Sequence, residues 1–153
     1  MFEKRMKEFR EKLLVTDIKV ALITDEDSVY YLSGYYDYLH MEFGRPTILV
    51  VPKDGDTFLV TPAIDLNTAT EHARVDRISA WNDGMGSEWR EDLSSIARGS
   101  GRVGIEVGHM PALVRSYVSE LVGQEKIITI TPILSEMRMI KSDQELQLAR
   151  HAG

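Results

Sequence analysis

The chain has 153 residues, 43% of them apolar, with 18 Lys and Arg against 24 Asp and Glu for a formal net charge of −6, and no cysteine. That length suits one domain with a sizeable core. The acidic balance argues against a nucleic-acid or anionic-membrane surface, and the lack of thiols excludes disulfides, thiolate catalysis and zinc–thiolate sites.

Phe2, Met6, Phe9, Leu13 and Leu14 recur at helical spacing through a charged segment and predict an amphipathic first helix. The same segment lacks the apolar run of a signal peptide, and nowhere does the chain approach the roughly 20 apolar residues that cross a bilayer. The expectation is a cytoplasmic protein that partners neither membrane nor nucleic acid. Residues 19–24 form a short apolar run bounded by acidic turn residues, as a buried strand does. A short helix or turn over 28–32 is closed by Gly34. Residues 47–51 and 57–60, joined by Pro52-Lys53-Asp54-Gly55-Asp56, read as a hairpin with an Asp-Gly turn. Beyond Pro62 the pattern is helical over 63–73, extended over 77–81, helical over 87–98 and extended over 103–106. A helix over 111–122, with Pro111 at its first turn, precedes a last strand over 127–131. Strands alternating with helices, plus one hairpin, predict an α/β domain with a mixed sheet.

The segment 137–153 has a different character. Ser142 stands as an N-cap with Glu145 three residues on, a capping box that opens a helix over 143–152. Leu146, Leu148 and Ala149 then present an apolar face. A helix opened in this way normally leads into more protein. The expectation is therefore a domain of residues 1–139, followed by a hinge and the first turns of a connecting helix over 140–153.

Candidate chemistry within the chain is sparse. Gly99-Ser100-Gly101-Arg102-Val103-Gly104 matches GxGxxG, but it follows a predicted helix and enters a strand, the reverse of a dinucleotide fingerprint. His40, His72, His109 and His151 lie more than thirty residues apart and form no ligand pair. Asp25, Glu26 and Asp27 end the first strand, where α/β enzymes place acids. Glu106 is their one obvious partner, and a solvated turn with an N-cap is the simpler reading. No nucleophile elbow is present. Residues 30–46 hold five of the six tyrosines with Phe43 and Arg45, either an aromatic mini-core under a loop or a recognition surface in which Arg clamps a carboxylate.

Tyr30-Tyr31-Leu32-Ser33-Gly34, Phe43-Gly44-Arg45-Pro46, Arg102-Val103-Gly104-Ile105-Glu106 and Met137-Arg138-Met139-Ile140-Lys141-Ser142 fall in an order and spacing that resembles the N-terminal domain of the creatinase/prolidase family. The resemblance covers essentially the whole chain, and the Phe-Gly-Arg-Pro block leans toward the creatinase branch. It implies a ribonuclease H-like, three-layer α/β unit, a mixed sheet flanked by helices, without nuclease activity. The implied parent is a two-domain hydrolase that pairs as a homodimer. Its C-terminal pita-bread domain would carry the chemistry. Xaa-Pro dipeptidase and aminopeptidase P-like members use two Asp, a His and two Glu there for two divalent metals, whereas creatinase-like members work without metal and shuttle protons through a His. This chain is then expected to hold no catalytic residue, no metal and no cofactor. One role carries over by motif. Phe43 and Arg45 match residues that reach into the partner subunit's active site, Arg45 near the carboxylate of a small zwitterionic or dipeptide substrate. Two other functions stand beside this one: a stand-alone binding module of the same fold, and a ribonuclease H-like nuclease built on Asp25, Asp27 and Glu106.

Overall fold

The computed structural model describes residues 1–36, 46–82, 88–96 and 101–152. In chain order the elements are α1 (Phe2–Leu14), β1 (Ile18–Ile23), α2 (Glu26–Ser33), β2 (Ile48–Pro52), β3 (Phe58–Pro62), α3 (Leu66–His72), β4 (Arg77–Trp81) and α4 (Trp89–Ser94). They continue with β5 (Arg102–Ile105), α5 (Ala112–Val122), β6 (Ile127–Thr129), α6 (Thr131–Met139) and α7 (Asp143–Ala152). The six strands make one sheet in the order β4-β3-β2-β1-β5-β6. The β1–β2 and β2–β3 pairs are antiparallel, while β3–β4, β1–β5 and β5–β6 are parallel. The expected α/β architecture with a mixed sheet flanked by helices is therefore present.

The strands' period of two divides the interior into two cores. Val20 and Leu22 of β1 and Ile48 and Val50 of β2 pack on one face with Trp89, Leu93, Val114 and Val118 of α4 and α5. Ala21, Ile23, Leu49 and Val51 pack on the other with Phe9, Leu13, Leu32, Ala69, Leu134 and Met137 of α1, α2, α3 and α6. Helices thus cover both faces in a three-layer arrangement. At about 1.5–3 kcal/mol for each large apolar side chain removed from water, both layers contribute strongly to stability.

Two glycines are required by this packing. Gly34 ends α2 at φ 80°, the left-handed conformation of a helix C-cap, and a Cβ there would press on the Phe2 ring of α1. Gly104 lies in the middle of β5, on the face where Ile130 crosses, and a Cβ at this position would meet the Ile130 side chain. That is the structural reason for the last glycine of the GxGxxG string. It lets the start of α6 lie flat on the sheet and cradles no phosphate.

Several sequence expectations need correction. The last strand stops at Thr129 instead of running to 131. Ile130 adopts φ −105°, ψ 0°, turning the chain into α6 with a proline in its first turn. This helix was not anticipated, although Pro132 followed by Leu134 and Met137 carries its start signal and spacing. The helix expected over 63–73 is a 3-10 turn followed by α3. The helix expected over 87–98 is observed only as Trp89–Ser94; Ser87, Ala97 and Arg98 lie outside the described residues. Leu14, assigned to the apolar stripe of α1, is 53% exposed, whereas Arg5 is 8% exposed on the buried side. One residue past Leu13 is a rotation of about 100°, enough to leave the stripe.

Gly104→Ala is expected to destabilise the domain by about 1–3 kcal/mol, because the added methyl overpacks the Ile130 contact. Urea denaturation measures this. An unchanged midpoint would show that β5 and α6 can separate freely.

Candidate functional site

Strands β1 and β5 are parallel neighbours, so the residues just beyond them meet at one end of the sheet. The chain leaves β1 toward β2 on one side and leaves β5 toward β6 on the other. A crevice opens at such a switch point, outside the carboxyl ends of the strands. Here it is a cleft of about 420 Å³ bordered by Asp25, Asp27, Ser28, Glu106, His109 and Arg138.

Asp25 is the N-cap of α2, its Oδ2 accepting from the Ser28 N–H at 3.0 Å and from the Ser28 hydroxyl at 2.9 Å. The same hydroxyl lies 2.8 Å from Oε1 of Glu106. On the far side of Asp25, Oδ1 is 3.1 Å from Nδ1 of His109, a residue whose backbone carbonyl accepts from the Thr24 hydroxyl at 3.0 Å. Arg138 of α6 reaches across to Asp25 Oδ2 at 3.7 Å, Asp27 Oδ2 at 3.4 Å and Ser28 Oγ at 3.5 Å. The Asp27 pair is exposed and contributes little.

Glu106, the partner that the sequence offered to the acidic cluster, lies in the interior. It is 3% exposed, and its Oε2 has no hydrogen-bond partner among the described residues. Burial pushes its pKa from the ordinary carboxylate value up to about 7; the nearby Asp25 charge adds to the rise, against the Ser28 hydroxyl, the His109 charge and the Asp25 N–H.

The segment following Arg138 is built from it outward. Lys141 Nζ donates to the carbonyls of Arg138 at 2.7 Å and Met139 at 3.3 Å, satisfying the end of α6. Ser142 and Glu145 form the expected capping box, with Glu145 Oε2 accepting from the Ser142 N–H at 2.8 Å and hydroxyl at 2.7 Å. The other carboxylate oxygen of Glu145 is gripped by Arg5 Nη2 at 2.8 Å. The guanidinium of Arg5 stacks 4.1 Å from the Tyr31 ring and donates to the Tyr31 carbonyl at 3.1 Å, while the Tyr31 hydroxyl donates to the Met137 carbonyl at 3.0 Å. The Ser142 hydroxyl first, then its N–H and the charges of Arg5 and Lys141, outweigh burial and hold the Glu145 pKa below its usual value. The Arg-x-Ile-Lys-Ser string thus has three working side chains and an outlier, Ile140, which is 82% exposed.

The sequence-predicted residues Phe43 and Arg45 lie outside the described residues. Pro46, next in the chain, accepts from the Trp81 indole at 3.2 Å, and Thr47 pairs with Thr61 at 3.3 Å. Because β2 runs antiparallel to β1, this entry to β2 stands at the same sheet end as Asp25 and Glu106. The aromatic segment is partly a packing device: Tyr35 is buried, and Tyr30 meets Phe2 and Tyr36 edge to face. Asp25 and Glu106 do converge, but the nuclease reading lacks its metal site. Among the described residues no group of three or more His, Asp or Glu is placed to hold an ion. Ser28 is fully buried and faces carboxylates rather than an imidazole, so it is no nucleophile. Sequence reasoning missed Ser28, His109 and Arg138 as partners of Asp25. Arg138 is 113 positions away in the chain, and only the arrival of α6 joins them. No described helix is long and apolar enough to cross a membrane.

Two outcomes are expected. A carboxyl with a folded pKa raised to about 7 binds its proton more tightly in the native state, so stability is highest below the unfolded value, falls as pH rises toward 7 and stays reduced above it. The loss is on the order of 3 kcal/mol. Glu106→Gln, a neutral isostere, should flatten this slope between pH 5 and 8 in urea titrations; a wild-type profile that does not fall would disprove the assignment. Separately, Glu145→Gln keeps an N3 side chain able to cap but removes the charge that Arg5 holds. Amide exchange over residues 146–152 should accelerate while β1 stays protected, and Arg5→Met should do the same. Unaltered exchange in both would show that α7 is held by other means.

Comparison with known proteins agrees with this architecture. Residues 5–140 match the model of the creatinase/prolidase N-terminal domain. The creatinase of Bacillus sp. (strain B-0618) is 24% identical over 164 aligned residues, covering 98% of this chain and 36% of that protein. The chain thus spans about a third of the length of this curated relative. The prolidase structure from Thermococcus sibiricus superposes with a TM-score of 0.80 at 20% identity, over 96% of this chain and 39% of that one. A structure of the creatinase/prolidase N-terminal domain of an X-Pro dipeptidase from Streptococcus pyogenes gives 0.72 at 17% identity, over 89% of this chain and 99% of that one. With the family model matching most of its length, the chain belongs to the creatinase/prolidase N-terminal domain family.

Proposed function

We propose that this chain serves as the non-catalytic N-terminal domain of a C–N bond hydrolase of the creatinase or Xaa-Pro dipeptidase kind, supporting dimerisation and completing the substrate pocket of a partner subunit. The observation that carries the reading is coverage: nearly the whole chain corresponds to about 36–39% of longer relatives named creatinase and prolidase. The surface near α7 supports it. Met139, Ile140, Leu146 and Leu148 are 71, 82, 41 and 57% exposed, an apolar area of the kind that a following catalytic domain covers.

Within this reading Phe43 and Arg45 reach the partner's substrate. Arg45 takes the carboxylate of a small zwitterion or dipeptide through paired N–H donors, and Phe43 supplies apolar surface beside it. A charge-assisted hydrogen bond of this kind contributes about 1.5–3 kcal/mol, or about 10- to 150-fold in affinity. Catalytic groups, with any divalent metals, belong to the other domain. A second reading, a stand-alone binding module, is favoured by the two complete cores of the described domain. Translation of the source gene through Gly153 into a further reading frame would decide against it.

The purified 153-residue chain is expected to hydrolyse neither creatine nor an Xaa-Pro dipeptide, with or without manganese, zinc or cobalt. Turnover by the fragment would overturn the proposal. In the full-length enzyme, Arg45→Ala should raise KM by about 10- to 150-fold with little change in thermal midpoint. A KM equal to wild type would remove Arg45 from the pocket.

A further inference from the structure

The hydroxyl of Ser28 has one proton and two carboxyl neighbours, Asp25 Oδ2 at 2.9 Å and Glu106 Oε1 at 2.8 Å. Two ionised carboxylates at those distances would both need a donor, and a serine can donate only once. The geometry closes if one carboxyl carries a proton of its own. Asp25 is the N-cap, takes the Ser28 N–H, and has His109 Nδ1 at 3.1 Å and Arg138 Nη1 at 3.7 Å. Glu106 is buried with one oxygen that has no partner among the described residues, which favours its acid. The consistent arrangement has the Glu106 carboxyl donating to Ser28 Oγ and the Ser28 hydroxyl donating to Asp25.

We propose that Glu106, Ser28, Asp25 and His109 form a proton-binding relay, and that the proton held on Glu106 sets how firmly Arg138 draws α6 to the sheet end. The path is continuous. A proton leaving Glu106 passes to Ser28 Oγ as the hydroxyl hands its own proton to Asp25 Oδ2; the Asp25 carboxyl, once rotated, gives that proton to Nδ1 of a neutral His109, whose side chain is 58% exposed and sheds its Nε2 proton to water. The net change is one proton lost and one negative charge gained in the cleft.

Among the described residues, the charged groups that line the cleft with Glu106 are Asp25 and Asp27 from the start of α2, His109 from the segment after β5, Arg138 from α6 and Lys141 just beyond it. Lys141 is engaged with the carbonyls of Arg138 and Met139. Among the described residues Arg138 is the cation able to respond, because its contacts to Asp25, Asp27 and Ser28 are long, at 3.4–3.7 Å. Loss of the Glu106 proton pulls its guanidinium inward. Because Arg138 is followed at once by the connection into α7, the charge state of a buried acid is conveyed to the base of that helix. This coupling is independent of the hydrolase proposal, since it concerns this chain alone.

Carbon-detected NMR of the side-chain carboxyls, with the Arg138 Nε–H resonance followed over pH 4–9, tests it on the intact chain. Glu106 should titrate near neutrality, and the Arg138 resonance should move with the same midpoint. Glu106→Gln should abolish that movement without unfolding the chain. Asp25→Asn, which retains an N-cap, should lower the Glu106 midpoint by removing a like charge. His109→Asn should raise it by removing a cation. A Glu106 carboxyl already ionised at pH 5, an Arg138 resonance that titrates identically in Glu106→Gln, or midpoints unmoved by both Asp25→Asn and His109→Asn would each overturn the proposal. Should one substituted protein fail to fold, the wild-type pair of midpoints still decides, since unequal midpoints exclude the coupling.

Discussion

Strand β1 is apolar on both faces, and the domain is organised by covering it twice. A strand with Val20 and Leu22 on one side and Ala21 and Ile23 on the other cannot face water on either. Helices must therefore flank the sheet on both sides, and the neighbours of β1 must themselves be buried. An antiparallel β2 on one edge and a parallel β5 on the other satisfy this. The same choice creates the crevice. With β1 and β5 running the same way, the polar residues that end them are forced together, and Asp25 and Glu106 meet although they are far apart in sequence.

That meeting is destabilising unless it is organised. A buried carboxyl near a second one cannot stay ionised cheaply, and here a single serine hydroxyl, a helix cap, a partly exposed imidazole and a guanidinium from α6 divide the task. The result is one carboxyl capping a helix N-terminus and facing two basic side chains, beside a second whose pKa burial pushes up to about 7. The arrangement is structural in its hydrogen bonds and electrostatic in its sensitivity to pH.

The two ends of the chain are tied by a second charge pair. Arg5 of α1 and Glu145 of α7 are linked at 2.8 Å, and the same carboxylate closes the capping box of α7. One residue thus sets both where α7 begins and how its base sits on α1 and α2. The remainder of α7 has no buried side chain. Its direction therefore depends on polar contacts at its first turn rather than on a packed face.

Sequence alone determined the local elements whose physical cause is local. The apolar run of β1, the Asp-Gly hairpin, the Gly34 helix stop and the Ser142–Glu145 capping box depend on neighbours within a few residues, and they were legible in the sequence. The four family motifs were legible for the same reason, as short strings of residues. Tertiary structure decided what depends on the path of the chain. It buried Arg5 and Glu106, exposed Leu14, and ended β6 early so that Ile130 could cross Gly104. It also carried Arg138 to Asp25. A charged residue's burial is set by which elements arrive above it, and no local pattern encodes that arrival.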